Sequence, residues 1–264
     1  MAPPTDWRSR LTRVAGPIAA VRSLSGGAAL VEAGGGRFVV KLGAGARDEA
    51  EGLRLLRDVS DGPPVPEVVL AEGGLLVTTA VDQVPRTARH EEELGRSLAR
   101  LHRTPFPHWG GGSSFVGDCP VDPAVRTDGP TFYGARIMEL AQRCGLVHDV
   151  AAVAERLHDM LPPGGPALLH GDLWWGNVLF GHGGRSWLID PSVHGGHPEE
   201  DLAMLALFGT VPAPLLGAYK EVLHLQPGWE ERVALFQLPP LLVHAVLFGG
   251  GYRGQAKDVA RRFA

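Results

Sequence analysis

Cysteine is scarce in this 264-residue chain, with only Cys119 and Cys144 present, and the two lack metal-ligand spacing. Both are therefore expected as thiols in a reducing compartment, and a cytoplasmic location is expected with them. A long apolar run is also missing. The longest such stretch, Leu238 to Phe248, contains Pro239, Pro240 and His244 and falls short of the roughly 20 residues a membrane-spanning helix needs. The opening segment MAPPTDWRSRLTRVAG has no apolar core ahead of a cleavage site, so no secretory signal is expected. Nor is there an excess of charge of one sign. The formal net charge is −4 and the basic residues are scattered, which argues against nucleic-acid and membrane-surface partners. Internal repeats and low-complexity segments are absent as well. What remains is a chain with 44% hydrophobic residues, enough to bury a substantial core in one large domain or two lobes.

The most informative stretch is LLHGDLWWGNVLFGHGGRSWLID, Leu168 to Asp190. Val178–Phe180 and Trp187–Ile189 read as short strands, and the glycine-rich segment 181–186 reverses the chain between them. A hairpin sets the residue entering its first strand beside the residue leaving its second. Asn177 and Asp190 are thus expected side by side, as oxygen ligands suited to a hard cation such as Mg²⁺. Asp172 lies on the loop just before, free to take a proton from a bound hydroxyl. Taken singly, each of these residues is an ordinary turn former. Together they match the kinase catalytic-loop spacing, in which an aspartate base precedes an asparagine by five residues and a metal-binding aspartate follows.

Upstream, Trp7, Leu11 and Val14 recur at helical spacing behind Asp6, a candidate N-cap. Strands are expected at Ile18–Leu24, Ala28–Ala33 and Arg37–Leu42. The turn Ser25-Gly26-Gly27 could let backbone N–H groups approach nucleotide phosphates, although it lacks the full G-x-G-x-x-G spacing and is equally an ordinary hairpin turn. Lys41 is the only lysine before Lys220 and ends the third strand. In the following helix, Ala46–Asp58, the residues Ala46, Ala50, Leu53 and Leu56 form one face with Glu49 in its middle. A carboxylate on an apolar face needs a partner, and Lys41 is the candidate, forming the strand-lysine/helix-glutamate pair that orients α- and β-phosphates. Val65–Leu70 and Leu75–Val81 are expected to complete a small sheet. A polar connector, Asp82–Thr87, then crosses to a second region, with Thr79, Ala80 and Val81 offering backbone groups to an adenine. This divides the chain into an N-terminal nucleotide-binding lobe at 1–81 and a catalytic and acceptor-binding lobe at 82–264.

Beyond the connector the pattern is helical. Leu94, Leu98 and Leu101 form a stripe joined by His102, which is expected to be a hydrogen-bonded core residue. Thr104–Pro130 is long for a structureless loop and is expected to form part of a substrate wall. Helices are expected at Phe132–Cys144, His148–Leu161 and Leu202–Phe208, and Trp229–Phe248 reads as helical and core-forming. Glu199, Glu200 and Asp201 suit a helix N-terminus. His170 and Asp201 are also candidates for bracing the catalytic loop from behind, and Trp174 for packing against a sugar face.

LLHGDLWWGNVLF, IDPSVHGGHPEEDLAML and VHAVLFGGGYRGQA together resemble the fructosamine kinase (ketosamine-3-kinase) family, a branch of the aminoglycoside-phosphotransferase-like kinases. FVVKL with Glu49 behind it, LGRSLARLHR, and FVGD followed by FYGARI extend the resemblance over nearly the whole chain. It departs at Thr131, where a tryptophan is expected, at Thr79, where relatives often carry an acidic residue, and at Trp175, where a small residue is usual. The resemblance implies an α+β, two-lobed protein-kinase-like fold, with a small antiparallel-sheet lobe and a larger helical lobe carrying the catalytic hairpin. It also implies ATP- and Mg²⁺-dependent phosphorylation of the sugar 3-hydroxyl of small-molecule or protein-bound ketosamines, a deglycation role. Alternatives are an aminoglycoside- or choline-kinase-type phosphotransferase on the same scaffold, and a non-catalytic nucleotide-binding regulator.

Overall fold

The computed structural model of the chain describes residues 6–264. Helix α1 (Trp7–Ala15) leads into strands β1 (Ile18–Ser23), β2 (Ala29–Ala33) and β3 (Gly36–Leu42), helix α2 (Ala46–Arg57), and strands β4 (Val68–Glu72) and β5 (Leu75–Thr79). The five strands form one antiparallel sheet in the order β1-β2-β3-β5-β4. Val31, Val40, Leu75 and Val77 bury one face of it under Leu11 of α1. Two local expectations fail here. Asp6 makes no side-chain cap bond and Val14 is exposed, so α1 is anchored by buried Leu11 with Trp7 and Ala15 packed beside it. Strand β4 starts only at Val68, because Pro66 has no N–H to contribute to a ladder.

Helix α2 buries the face its sequence spacing predicts, Ala46, Ala50, Leu53 and Leu56. That face packs into a cluster with Leu94, Leu98, Leu168, Leu173 and Val178, all from beyond the connector. The helix therefore ties the small sheet to the rest of the molecule through a shared apolar core.

The larger region begins with α3 (Ala88–His102), followed by a short hairpin of β6 (Phe115–Val116) and β7 (Cys119–Pro120). Helices α4 (Gly129–Cys144) and α5 (Val147–Met160) come next, then strands β8 (Ala167–Leu169), β9 (Val178–Phe180), β10 (Ser186–Leu188) and β11 (His194–Gly196). Helices α6 (Glu199–Leu207), α7 (Ala213–Val222), α8 (Trp229–Phe236), α9 (Leu238–Phe248) and α10 (Gly250–Phe263) complete the chain. This is the α+β, two-lobed architecture of protein-kinase-like folds.

The segment between α3 and α4 is tied down along its length. Trp109 is buried in the helical core, Gly110 bridges to Gly195 of β11, and Asp128 caps α4 by accepting the Thr131 amide at 2.8 Å. Trp229–Phe248, read as continuously helical, is two helices. The break at Gln237 lets Pro239 and Pro240 occupy the first turn of α9, where their missing N–H groups cost least. Among the described residues this is the one stretch apolar and long enough to cross a membrane, and α9 packs against α4 and α10. Cys119 and Cys144 are free and buried.

Candidate active site

The loop from His170 to Asn177 hangs between β8 and β9. Its entry depends on Gly171, whose φ of 80° lies in the left-handed region and whose missing Cβ would sit 2.0 Å from the Ser192 carbonyl. At Gly176 a Cβ would fall 2.2 Å from the Trp174 ring that lies over it, so a larger residue there would displace that ring. Asn177 donates from its amide nitrogen to the Asp172 carbonyl at 2.8 Å and lies 3.4 Å from the Asp172 carboxylate. Both partners are acceptors, so the amide nitrogen must face them, and the Asn177 oxygen is left for another ligand. Burial first, and then the Asp190 charge, push the Asp172 carboxyl up to about 7.

Asp201 fastens this loop from below. Its carboxylate accepts the backbone amides of His170 at 2.8 Å and Gly171 at 2.9 Å, and His102 Nε2 at 3.1 Å. Burial alone would raise this carboxyl, but the His102 hydrogen bond and charge, with His170 and the Gly171 amide, outweigh it and hold it low. His102 also lies 2.8 Å from the Tyr219 hydroxyl, which makes it the hydrogen-bonded core residue expected. His170 accepts the Asp172 amide at Nδ1 and donates from Nε2 to the Ile189 carbonyl at 2.9 Å. It thereby joins the catalytic loop to the strand that ends beside Asp190. Burial keeps its pKa low.

The hairpin of β9 and β10 pairs Leu188 with Val178, and the Ile189 amide donates to the Asn177 carbonyl. Ile189, not Asp190, is therefore the direct neighbour of Asn177, and Asp190 lies one step further along. Its φ of 56° is in the left-handed region, which aspartate tolerates better than most residues. There its carboxylate meets Lys41, which also donates to Glu49 at 2.8 Å. Burial works to lower the Lys41 ammonium, but Asp190 and then Glu49 outweigh it and hold it above its usual value. The strand-lysine/helix-glutamate pair thus forms, and it extends to the hairpin aspartate. Among the described residues no group of three or more His, Cys, Asp and Glu side chains is arranged to hold a metal ion by itself. Asn177 and Asp190 fit Mg²⁺ in another way, because that ion commonly takes one or two protein ligands and completes its shell with phosphate and water.

The other nucleotide-side residues are less uniform. Gly26 and Gly27 form an exposed single turn at the edge of the cleft-side sheet, both with positive φ. The connector differs from expectation at two of its three positions. The Thr79 amide donates to Glu67 and the Ala80 amide to Arg37, each at 2.9 Å. Of the three amides, Val81's is the one without a backbone acceptor among the described residues. Trp175 does not line the space beside Asp172. Arg86 of the connector stacks on it, 3.9 Å from the ring centroid, so this tryptophan anchors the crossing between the two regions.

A pocket opens beside Asp172 between α4, α6 and α9. Its polar side is formed by Arg136, His194 and Glu200, and its apolar side by Met204, Pro240 and Val243. Glu200 accepts the Tyr133 hydroxyl at 2.6 Å and faces His194 Nε2 at 3.2 Å. Burial disfavours a charged His194, but Glu200 outweighs it and raises the pKa. The acidic run 199–201 does open α6, as its sequence suggests, yet each carboxylate has its own task. Glu199 pairs with Arg232 at 2.6 Å, Glu200 lines the pocket and Asp201 holds the loop. Helix-dipole reasoning does not separate these roles; Tyr133 and Arg136 lie in FYGARI and His194 in IDPSVHGGHPEEDLAML, stretches that carry the family resemblance without assigning these three residues a role.

A fructosamine kinase family model matches residues 27–263, nearly the whole chain. The chain belongs to the fructosamine kinase family. Family membership makes it a phosphotransferase acting on a hydroxyl and, as a kinase, a user of nucleotide. It is 34% identical over 230 residues to a "probable ketoamine kinase" of Thermus thermophilus, covering 83% of this chain and 84% of that one. The crystal structure of a "putative fructosamine-3-kinase" from Thermobifida fusca superposes with a TM-score of 0.87 at 37% identity, covering 97% of each chain. A choline kinase from Streptococcus pneumoniae, at 16% identity and a TM-score of 0.66 over 97% of this chain and 96% of that one, shares the fold.

Proposed function

We propose that this fructosamine kinase family member transfers the γ-phosphoryl group of ATP to the 3-hydroxyl of a ketosamine sugar. The observation that carries the reading is the continuous set Glu49–Lys41–Asp190 facing Asp172 and Asn177 across one cleft. Lys41, fixed by Glu49, neutralises the α- and β-phosphates. Asn177 and Asp190 would hold Mg²⁺, which would supply positive charge to the phosphates. Asp172 orients the acceptor hydroxyl and takes its proton as the new O–P bond forms and the bond to the β-phosphate oxygen breaks, releasing ADP. Gly26 and Gly27 cover the phosphates, and the adenine contact falls to Val81 and the connector carbonyls. Asp201 and His170 act on the reaction only by positioning the loop. Trp174 offers a partly exposed ring beside the acceptor hydroxyl. The two lobes meet at residues 81 and 82.

In the pocket Glu200 faces His194, and Asp122 and Asp128 of the preceding segment are committed to Arg126 and to the α4 cap. The test is ADP release over a panel of ketosamines, aminoglycosides and choline, with mass spectrometry and phosphorus NMR of the product. Ketosamine 3-phosphate formation is expected; phosphorylation of aminoglycosides but of no ketosamine would overturn the reading.

A further inference from the structure

Five aromatic rings run outward from Trp174 of the catalytic loop, through Phe208 at the end of α6 and His244 and Phe248 of α9, to Tyr252 of α10. Trp174 meets Phe208 edge-on at 6.2 Å, Phe208 meets His244 at 5.2 Å, and His244 meets Phe248 at 5.7 Å and Tyr252 at 4.9 Å. The ladder continues the pocket. Phe208 lies one turn past Met204 of α6, and His244 follows Val243 of α9. His244 Nδ1 donates to the Pro240 carbonyl at 2.7 Å, which fixes the ring between its aromatic neighbours. Yet the ladder is open to solvent, with Trp174 40%, Phe208 44% and Phe248 66% exposed. Large apolar side chains clustered on a surface mark a binding site more often than chance.

We propose that this ladder binds an apolar or aromatic substituent on the amine nitrogen of the acceptor. The inference rests on the ketosamine reading, and the connectivity of the substrate carries it further. In such a sugar the amine is borne on C1, two carbons from the C3 hydroxyl. With that hydroxyl at Asp172, the amine and whatever it bears extend away from the base, and Trp174, whose amide donates to the Asp172 carbonyl, stands on the same loop with Phe208 against its ring. A secondary ammonium is attracted to aromatic faces, and a substituent beyond it meets Phe248 and Tyr252. The structure thus assigns one end of the acceptor to the polar floor and the other to the aromatic ladder.

The test compares two ketosamines of the same sugar, one made with methylamine and one with phenethylamine. Wild-type protein is expected to prefer the phenethylamine adduct by about tenfold in kcat/KM, chiefly through KM, as burial of one ring against others implies. Phe208→Ala and Phe248→Ala are each expected to bring that ratio towards one. Phe248 is exposed enough that its truncation leaves no cavity, and its melting temperature checks that the fold is intact. Isothermal titration of each adduct gives the same ratio without turnover. Equal turnover of both adducts by the wild type, or a preference that survives both substitutions, overturns the inference and leaves the substrate reading standing. A concentration-dependent dimer that Phe248→Ala dissociates also overturns it, because a second copy then covers the ladder. Phosphorylation of neither adduct overturns the substrate reading and the inference together.

Discussion

The two sides of the cleft are built differently. On the catalytic side, Asp201 is fully buried, and its oxygens are spent on two backbone amides and His102, with Tyr219 behind. On the nucleotide side, Lys41, Glu49 and Asp190 are only partly buried, and their charges pair with one another. The Gly26–Gly27 turn above them is exposed. A loop that must hold a base and an acceptor hydroxyl in line gains from rigidity, because small misplacements cost large factors in rate. Charges that must admit phosphates and a cation gain from partners they can exchange. The first arrangement makes its contribution to stability, the second to chemistry.

Substitutions on the two sides should therefore separate activity from stability. Asp172→Asn is expected to lower kcat by about 10³-fold or more while leaving nucleotide affinity, read by fluorescent-ADP titration, within experimental scatter of the wild type. Undiminished turnover in that variant would remove Asp172 from the mechanism. Asp201→Ala leaves two buried amides and His102 without their acceptor, and should lower unfolding free energy by about 3 kcal/mol or more in urea titrations. If stability is unchanged, the brace is not one. Glu49→Gln should do the reverse. Stability stays within about 1 kcal/mol, while kcat/KM for ATP drops about 10²-fold as Lys41 loses its orientation. A stability loss as large as that of Asp201→Ala would erase the contrast between the two sides.

A pH experiment sharpens the same contrast. His197 stacks on Phe236 behind the catalytic side, and burial first, then the charges of Arg232 and His102, push its pKa down to about 3. Unfolded histidine titrates near about 6.5. Below that value the unfolded chain takes up a proton that the folded protein refuses. The His197 contribution is thus fully present above about pH 6.5 and falls by about 1.4 kcal/mol per unit as pH drops towards the folded value. Asp172, raised in the fold to about 7, contributes a slope of opposite sign over the same range, so the readout is the difference between proteins: between pH 7 and 5 the urea midpoint of the wild type should lose stability relative to that of His197→Asn, and parallel slopes would refute it. The smallest effect is expected at the start of α4, where Asp128→Ala removes the helix cap and costs about 1 kcal/mol of stability. Its KM values should not move.

Much of the site was legible because it is local. Asp172, Asn177 and Asp190 lie within one hairpin and the loop that enters it, and Lys41 and Glu49 sit on adjacent elements whose periodicities are plain. The misreadings came where partners are distant in sequence. The hairpin register set Ile189 opposite Asn177. The Thr79 and Ala80 amides went to Glu67 and Arg37, and Trp175 found Arg86 of the connector. Pro66 and the Pro239-Pro240 pair did carry their signals, at the start of β4 and in the first turn of α9.

The sequence by itself determined the individual strands and helices and the local motif, because periodicity and spacing are properties of neighbouring residues, and the family resemblance those motifs carry implied the fold class. Tertiary structure alone decided which carboxylate of the run 199–201 braces the loop, which lines the pocket and which pairs with Arg232. It also decided that Trp174, Phe208, His244 and Phe248 form one surface. Consecutive carboxylates point in different directions around a helix, some 100° apart, and only the elements packed against that helix give each direction a meaning.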